Sequence, residues 1–140
     1  MKRIARLGAL TAALGVSLAA NARDMDGQYA ALGMGGENCA TYLVARDRGG
    51  SAERWYQDWL SGYLTAVNNA GASTYNILGN RSMADILDWL EGYCAANPNV
   101  NFANAAADMV GILYPDRANL APGKQDGWRK FATPSAPPSP

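Results

Sequence analysis

DWLSGYLTAVN, Asp58 to Asn68, and DWLEGYCAAN, Asp88 to Asn97, carry the same residues in one frame. Trp59, Leu60, Gly62 and Tyr63 recur as Trp89, Leu90, Gly92 and Tyr93. Trp and Tyr stand four apart in both copies, so on a helix each pair stacks on one side. A glycine inside a helix costs roughly 1 kcal/mol against alanine, but it also removes side-chain bulk. The repeat therefore predicts two helices that pack closely at Gly62 and Gly92, with aromatic rings filling the surrounding volume.

The two copies differ in register. At about 100° per residue, Trp59 falls well inside its apolar face. Trp89 falls toward a border, on the side of Tyr93 and Asp85. An aromatic ring at a polar border is what a binding patch offers, so Trp89, Tyr93 and Asp85 form a candidate partner surface.

Outward from the repeat, the same period recurs. Trp55, Tyr56, Trp59, Leu60, Tyr63, Leu64, Ala66 and Val67 make one face of a helix capped at Ser51, with Glu53 in its first turn. It runs to about Asn69. Before it, Cys39, Tyr42, Leu43 and Arg46 predict a shorter helix that starts near Asn38 and ends at Arg48-Gly49-Gly50. Ala72 to Asn80 reads as a connector whose Tyr75, Ile77 and Leu78 tuck under the helices. Ser82 and Asp85 resemble a capping box for a third helix with Met83, Ile86, Leu87, Leu90, Tyr93 and Cys94 on its apolar face. Asn97-Pro98 stops it. Asn101 caps a fourth, with Phe102, Ala105, Ala106, Met109, Val110 and Leu113 in register, ending at Tyr114-Pro115. No segment alternates apolar and polar long enough for a strand.

The ends read differently. Lys2, Arg3 and Arg6, the uncharged run Leu7 to Ala20, and Ala20-Asn21-Ala22 have the form of a cleaved export signal over residues 1–22. The apolar run is shorter than the roughly 20 residues that span a bilayer. Residues 23–36 are Gly-rich and polar, a loose leader. Residues 37–115 form the helical domain. Residues 116–140, rich in proline and ending in PSAPPSP, read as a disordered tail. The expected fold is thus all-α: a bundle of four short helices with one disulfide, in an exported, periplasmic or secreted protein.

Loss of residues 1–22 removes three of the 12 Lys+Arg and none of the 12 Asp+Glu, so the remaining net charge is about −3. That argues against nucleic acid, which needs a basic footprint. Cys39 and Cys94 are the two cysteines. In an exported chain an even pair reads as a disulfide, and closing a loop of this length contributes about 4 kcal/mol in the chain-entropy view. The rival reading, free thiols or metal ligands, is weak: the chain has no histidine, and two sulfurs alone under-ligate zinc. Neither a cofactor nor a metal is expected.

The absence of histidine also removes His-based triads. A serine nucleophile would need a lysine base, and past the signal the lysines are Lys124 and Lys130, both in the tail. Asp85, Asp88 and Glu91 come three apart on the third helix. Paired carboxylates can do acid–base work, which leaves a carboxylate-based hydrolase as the enzymatic alternative. As a solvated helix face they would do nothing chemical. GWRKFA, Gly127 to Ala132, mixes bases with aromatics and offers a weak docking motif for an anionic surface or partner.

GYLTAVN, DILDWLEGYCAANP and FANAAADMVGILYP, taken together, resemble a group of small exported bacterial helical proteins. The resemblance covers roughly residues 39–115 and rests on Gly62-Tyr63, Tyr93-Cys94, Asn97-Pro98 and Tyr114-Pro115. Two sets share it: the periplasmic immunity proteins that neutralise type VI secretion toxins, and the acid-stress chaperones of the HdeA/HdeB type. What the resemblance implies is a non-enzymatic protein-binding module. It would either inhibit one toxin-like effector or hold many acid-unfolded clients.

Overall fold

The computed structural model describes residues 29–124. The export signal of residues 1–22 and the GWRKFA and PSAPPSP motifs lie outside the described residues. Four helices run in order: α1, Cys39–Arg48; α2, Gly50–Ala70; α3, Met83–Ala96; and α4, Phe102–Leu113. A 3-10 turn, Gly33–Gly36, precedes α1, and another, Tyr114–Asp116, follows α4. The described residues contain no strand, only isolated antiparallel bridges at Asn38–Asn101 and Asn76–Ala118.

Three of the four helix starts follow local chemistry visible in the sequence. The Asn38 side chain accepts from the Thr41 N–H at 2.8 Å. Ser82 and Asp85 form a reciprocal capping box on α3. The Asn101 side chain accepts from the Asn104 N–H at 2.8 Å. Each satisfies an N–H that the helix itself leaves unpaired. The start of α2 differs from expectation. Gly49 holds the cap position with no side-chain hydrogen bond, and Ser51 lies one residue inside the helix. Gly49 and Gly50 take φ of 63° and 67°. That left-handed backbone, which only glycine adopts cheaply, reverses the chain at once and starts the helix before Ser51.

The core is built around α1, which contacts α2, α3 and α4. Tyr42, Tyr56 and Phe102, from α1, α2 and α4, pack ring on ring with centroids 4.7–5.3 Å apart. Leu60, Ile86, Leu90 and Met109 close around them, all buried. Ile77 from the connector is buried as predicted, whereas Tyr75 is half exposed. Trp55 and Ala66, placed on the inner face of α2 by their spacing, are exposed. The apolar stripe read from sequence is wider than the strip that the neighbouring helices cover.

Two links tie α1 to α3. Cys39 and Cys94, both buried, sit at disulfide distance, with Cα atoms 4.9 Å apart. Arg46 reaches Glu53 on α2 and Asp88 and Glu91 on α3, the last two at 2.8 and 3.1 Å.

The close packing predicted at Gly62 and Gly92 is not found. Both glycines are exposed, and a Cβ added at either meets nothing within 4 Å. The physical reason is topological: the main contacts of α2 and α3 are with α1, so the two repeat-bearing helices do not form a close pair. The stacking half of the prediction holds. Trp59 lies over Tyr63 at 5.4 Å and Trp89 over Tyr93 at 5.1 Å.

The glycine that does permit a close approach is Gly35, in the segment read as a loose leader. A Cβ there would fall 2.1 Å from the Trp59 ring. The Trp59 indole N–H donates to the Leu32 carbonyl at 2.8 Å, and Tyr29 donates to Asn104 on α4 at 2.7 Å. Residues 29–37 thus form a strap across α2 and α4. Past α4 the chain also stays bonded to the domain beyond residue 115. Ala118 exchanges hydrogen bonds with Asn76, Arg117 reaches Thr74, and Asp116 pairs with Arg81 at 3.1 Å.

Candidate protein-binding surface

Trp89 and Tyr93 face α4 from the outer side of α3. Trp89 is half-buried against the core and lines a cleft of about 250 Å³ between the two helices. Ile86, Met109 and Leu113 make its floor, and each is buried. Ile112 stands on its rim with 57% of its surface exposed. Arg81 and Asp85 make the polar edge near the start of α3.

The surface predicted from sequence is therefore brought together in part. Trp89 and Asp85 border the same cleft. Tyr93 stands behind Trp89, stacked on it, and donates its hydroxyl proton to Asp108 on α4 at 2.5 Å. That bond fixes the ring pair to the facing helix. It also pushes the Tyr93 hydroxyl above its ordinary pKa, because ionisation would lose the hydrogen bond donated to Asp108.

Asp85 is held by Ser82. It accepts from the Ser82 N–H at 2.7 Å and the Ser82 hydroxyl at 2.8 Å. These bonds favour the carboxylate and lower its pKa. Asp88 and Glu91 turn instead to Arg46. The three carboxylates that spacing placed on one face are thus divided between a helix cap and a guanidinium clasp. Among the described residues, no group of three or more His, Cys, Asp or Glu side chains is placed to hold a metal ion.

Ile112 is the residue that periodicity passes over. It lies seven positions after the buried Ala105 and three after the buried Met109, at the border of the stripe from Phe102. The available signal is that spacing: a large apolar side chain at the border of the helix's apolar face. Val44, outside the stripe read for α1, and Trp55, inside the one read for α2, are likewise exposed, at 49% and 59%.

No helix among the described residues is long and apolar enough to cross a membrane. No family model matches the chain, and no curated protein and no solved structure matches it either.

Proposed function

We propose that this chain is a non-enzymatic exported protein-binding module of the inhibitor or immunity type. It engages one partner through the α3–α4 cleft. The observation that supports this reading most is the cleft itself: an apolar floor, a half-buried Trp89, an exposed Ile112 and a charged edge at Arg81 and Asp85. Desolvated aromatic and aliphatic anchors inside a polar rim are the usual source of binding energy between proteins. The resemblance to immunity proteins points the same way.

The acid-stress chaperone is the second reading, and Arg46 favours it. One guanidinium joins α1, α2 and α3 through three carboxylates. A domain whose helices are joined through one charged cluster is of the kind that acid expands.

The test is partner capture on tagged protein spanning residues 23–140, from an extract of exported proteins, at neutral pH and at about pH 3, where acid-expanded states form. One stoichiometric partner at neutral pH, lost in Ile112→Asp, supports the inhibitor reading. Many partners that bind only in acid support the chaperone. Neutral binding that Ile112→Asp leaves intact removes the cleft from the proposal.

A further inference from the structure

The α3–α4 cleft meets the last described part of the chain at its Arg81 end. Arg81 lines the cleft and also a shallow hollow with Asn80 and Asp116. Asn80 in turn borders a hollow with Leu120 and Pro122. Through these shared residues the three depressions form one track, from Pro122 to Trp89. The described residues end two positions past Pro122, at Lys124.

Length and chemistry both fit a return along that track. From Asn80 to Trp89 the chain covers at most about 18 Å, two extended steps and seven helical ones. The six steps from Pro122 to Trp128 reach up to about 22 Å. Residues 125–132 read QDGWRKFA. Trp128 and Phe131 stand three apart, the spacing that sets two rings on one side of a helical turn. Asp126 precedes them, and Arg129 and Lys130 lie between them. The cleft offers the opposite charges in the same order. Arg81 stands at its entrance and Asp85 follows. Past Trp89, Tyr93 holds Asp108, a residue one turn from the exposed Ile112. Neither Asp85 nor Asp108 forms a salt bridge among the described residues.

We infer that the chain's own segment 126–132 occupies the α3–α4 cleft until a partner displaces it. Trp128 and Phe131 cover the apolar floor beside Ile112, Asp126 meets Arg81, and the two bases meet Asp85 and Asp108. Aromatic anchors over an apolar floor supply affinity, and the ordered charges set direction and register. A short tether holds the segment near the cleft at an effective concentration on the order of mM, so a contact that is weak between separate molecules is filled within one. The inference rests on the cleft being a binding surface, as proposed above, and adds that a partner must compete with the tail for it.

The experiment is NMR on isotope-labelled protein spanning residues 23–140, with circular dichroism to verify folding of each variant. The wild type shows nuclear Overhauser contacts from the Trp128 ring to the Ile112 methyl groups, within one molecule. Trp128→Ala with Phe131→Ala, a change outside the helical domain, abolishes them and shifts the Ile112 and Leu113 methyl signals. The free peptide QDGWRKFA restores those signals in this variant. It binds the wild type at least about tenfold more weakly, because the tethered copy competes. With Arg129→Glu and Lys130→Glu in the peptide, binding to the variant falls at least about tenfold. Methyl signals that the double variant leaves unchanged, contacts that arise only between labelled and unlabelled molecules, or equal peptide affinity for both proteins overturn the inference. Partner capture that depends on Ile112 while tail contacts are missing overturns this inference alone. Tail contacts with no captured partner uphold it and remove the inhibitor reading.

Discussion

Gly35 and Gly62 show how differently one residue type acts in two places. At Gly35 the backbone touches the Trp59 ring, and an added methyl would overlap it. Gly35→Ala is expected to lower stability by about 2 kcal/mol, within the usual cost of overpacking. The lower midpoint of a urea unfolding curve reads that change. At Gly62 and Gly92 an added methyl enters open space on a helix surface. There Gly→Ala raises stability by roughly 0.5–1 kcal/mol at each site, through helix propensity and the stiffer unfolded chain. Opposite shifts of the urea midpoint would confirm the reassignment of the close approach from the repeat to the strap. Tyr56 adds a third residue-scale case. Its hydroxyl is buried with no hydrogen-bond partner among the described residues, and burial raises its pKa. Tyr56→Phe removes an unsatisfied group and is expected to leave stability unchanged or raise it by up to about 1 kcal/mol in the same assay.

At the scale of elements, the helices were legible because their signals are local. Ser82 and Asn101 cap the helices they were expected to cap, and Asn38 caps the helix expected to start near it, since capping depends on atoms within three residues. The face that each helix turns inward was read less well. Trp55 and Ala66 fit the period of α2 but lie outside the strip that α1 and the strap cover. Periodicity reports a face. How much of that face a neighbour covers depends on long-range packing, which no window of sequence contains. The strap was misread for the same reason: Gly33–Gly36 is polar and glycine-rich on its own, and its order comes from Trp59, distant along the chain. The capping box of α3 yields a pH prediction. The Asp85 pKa in the folded state is lowered by Ser82. Its contribution to stability is therefore complete above the ordinary aspartate value, about 4, and is lost as pH falls through the lowered value. Ser82→Ala, which costs about 1 kcal/mol at neutral pH, should have a smaller effect in acid below that range. Urea unfolding of both proteins at the two pH values measures the difference.

For the whole molecule, stability rests on a small apolar core and one covalent link. Reduction of Cys39–Cys94, or Cys39→Ala with Cys94→Ala, is expected to cost about 2–5 kcal/mol, measured as the difference between oxidised and reduced unfolding curves. At the alkaline end, burial pushes the Tyr42 hydroxyl up to about 12, and burial likewise raises Tyr63. A folded pKa raised above its unfolded value contributes stability that is complete below the unfolded value and is lost as pH rises through the folded one. The protein should therefore weaken progressively from about pH 10 to about 12, with tyrosinate absorbance appearing together with unfolding. Tyr42→Phe, which keeps the ring stack, should move that transition to higher pH. The candidate site is a whole-molecule property as well. Trp89 and Asp85 could be named from one helix, but their cleft exists only because α4 lies beside α3 and sets Ile112 on its rim.

The bond between Cys39 and Cys94 has a mechanical consequence. It staples the first residue of α1 to the last turn of α3, so α1, α2, the connector and most of α3 lie within a closed covalent ring. The strap and α4 lie outside that ring. A force applied at the two ends, by an optical trap or a threading unfoldase, meets these parts in sequence. It peels away the strap and α4, opens the cleft beside Trp89, and then stalls. Each residue outside the ring yields up to about 3.6 Å of extension, and residues 40–93 yield none until the sulfurs part. In a reducing buffer the same pull would run to the full length of the chain. The extension curve thus separates the half of the fold held by packing alone from the half that is also held by a bond.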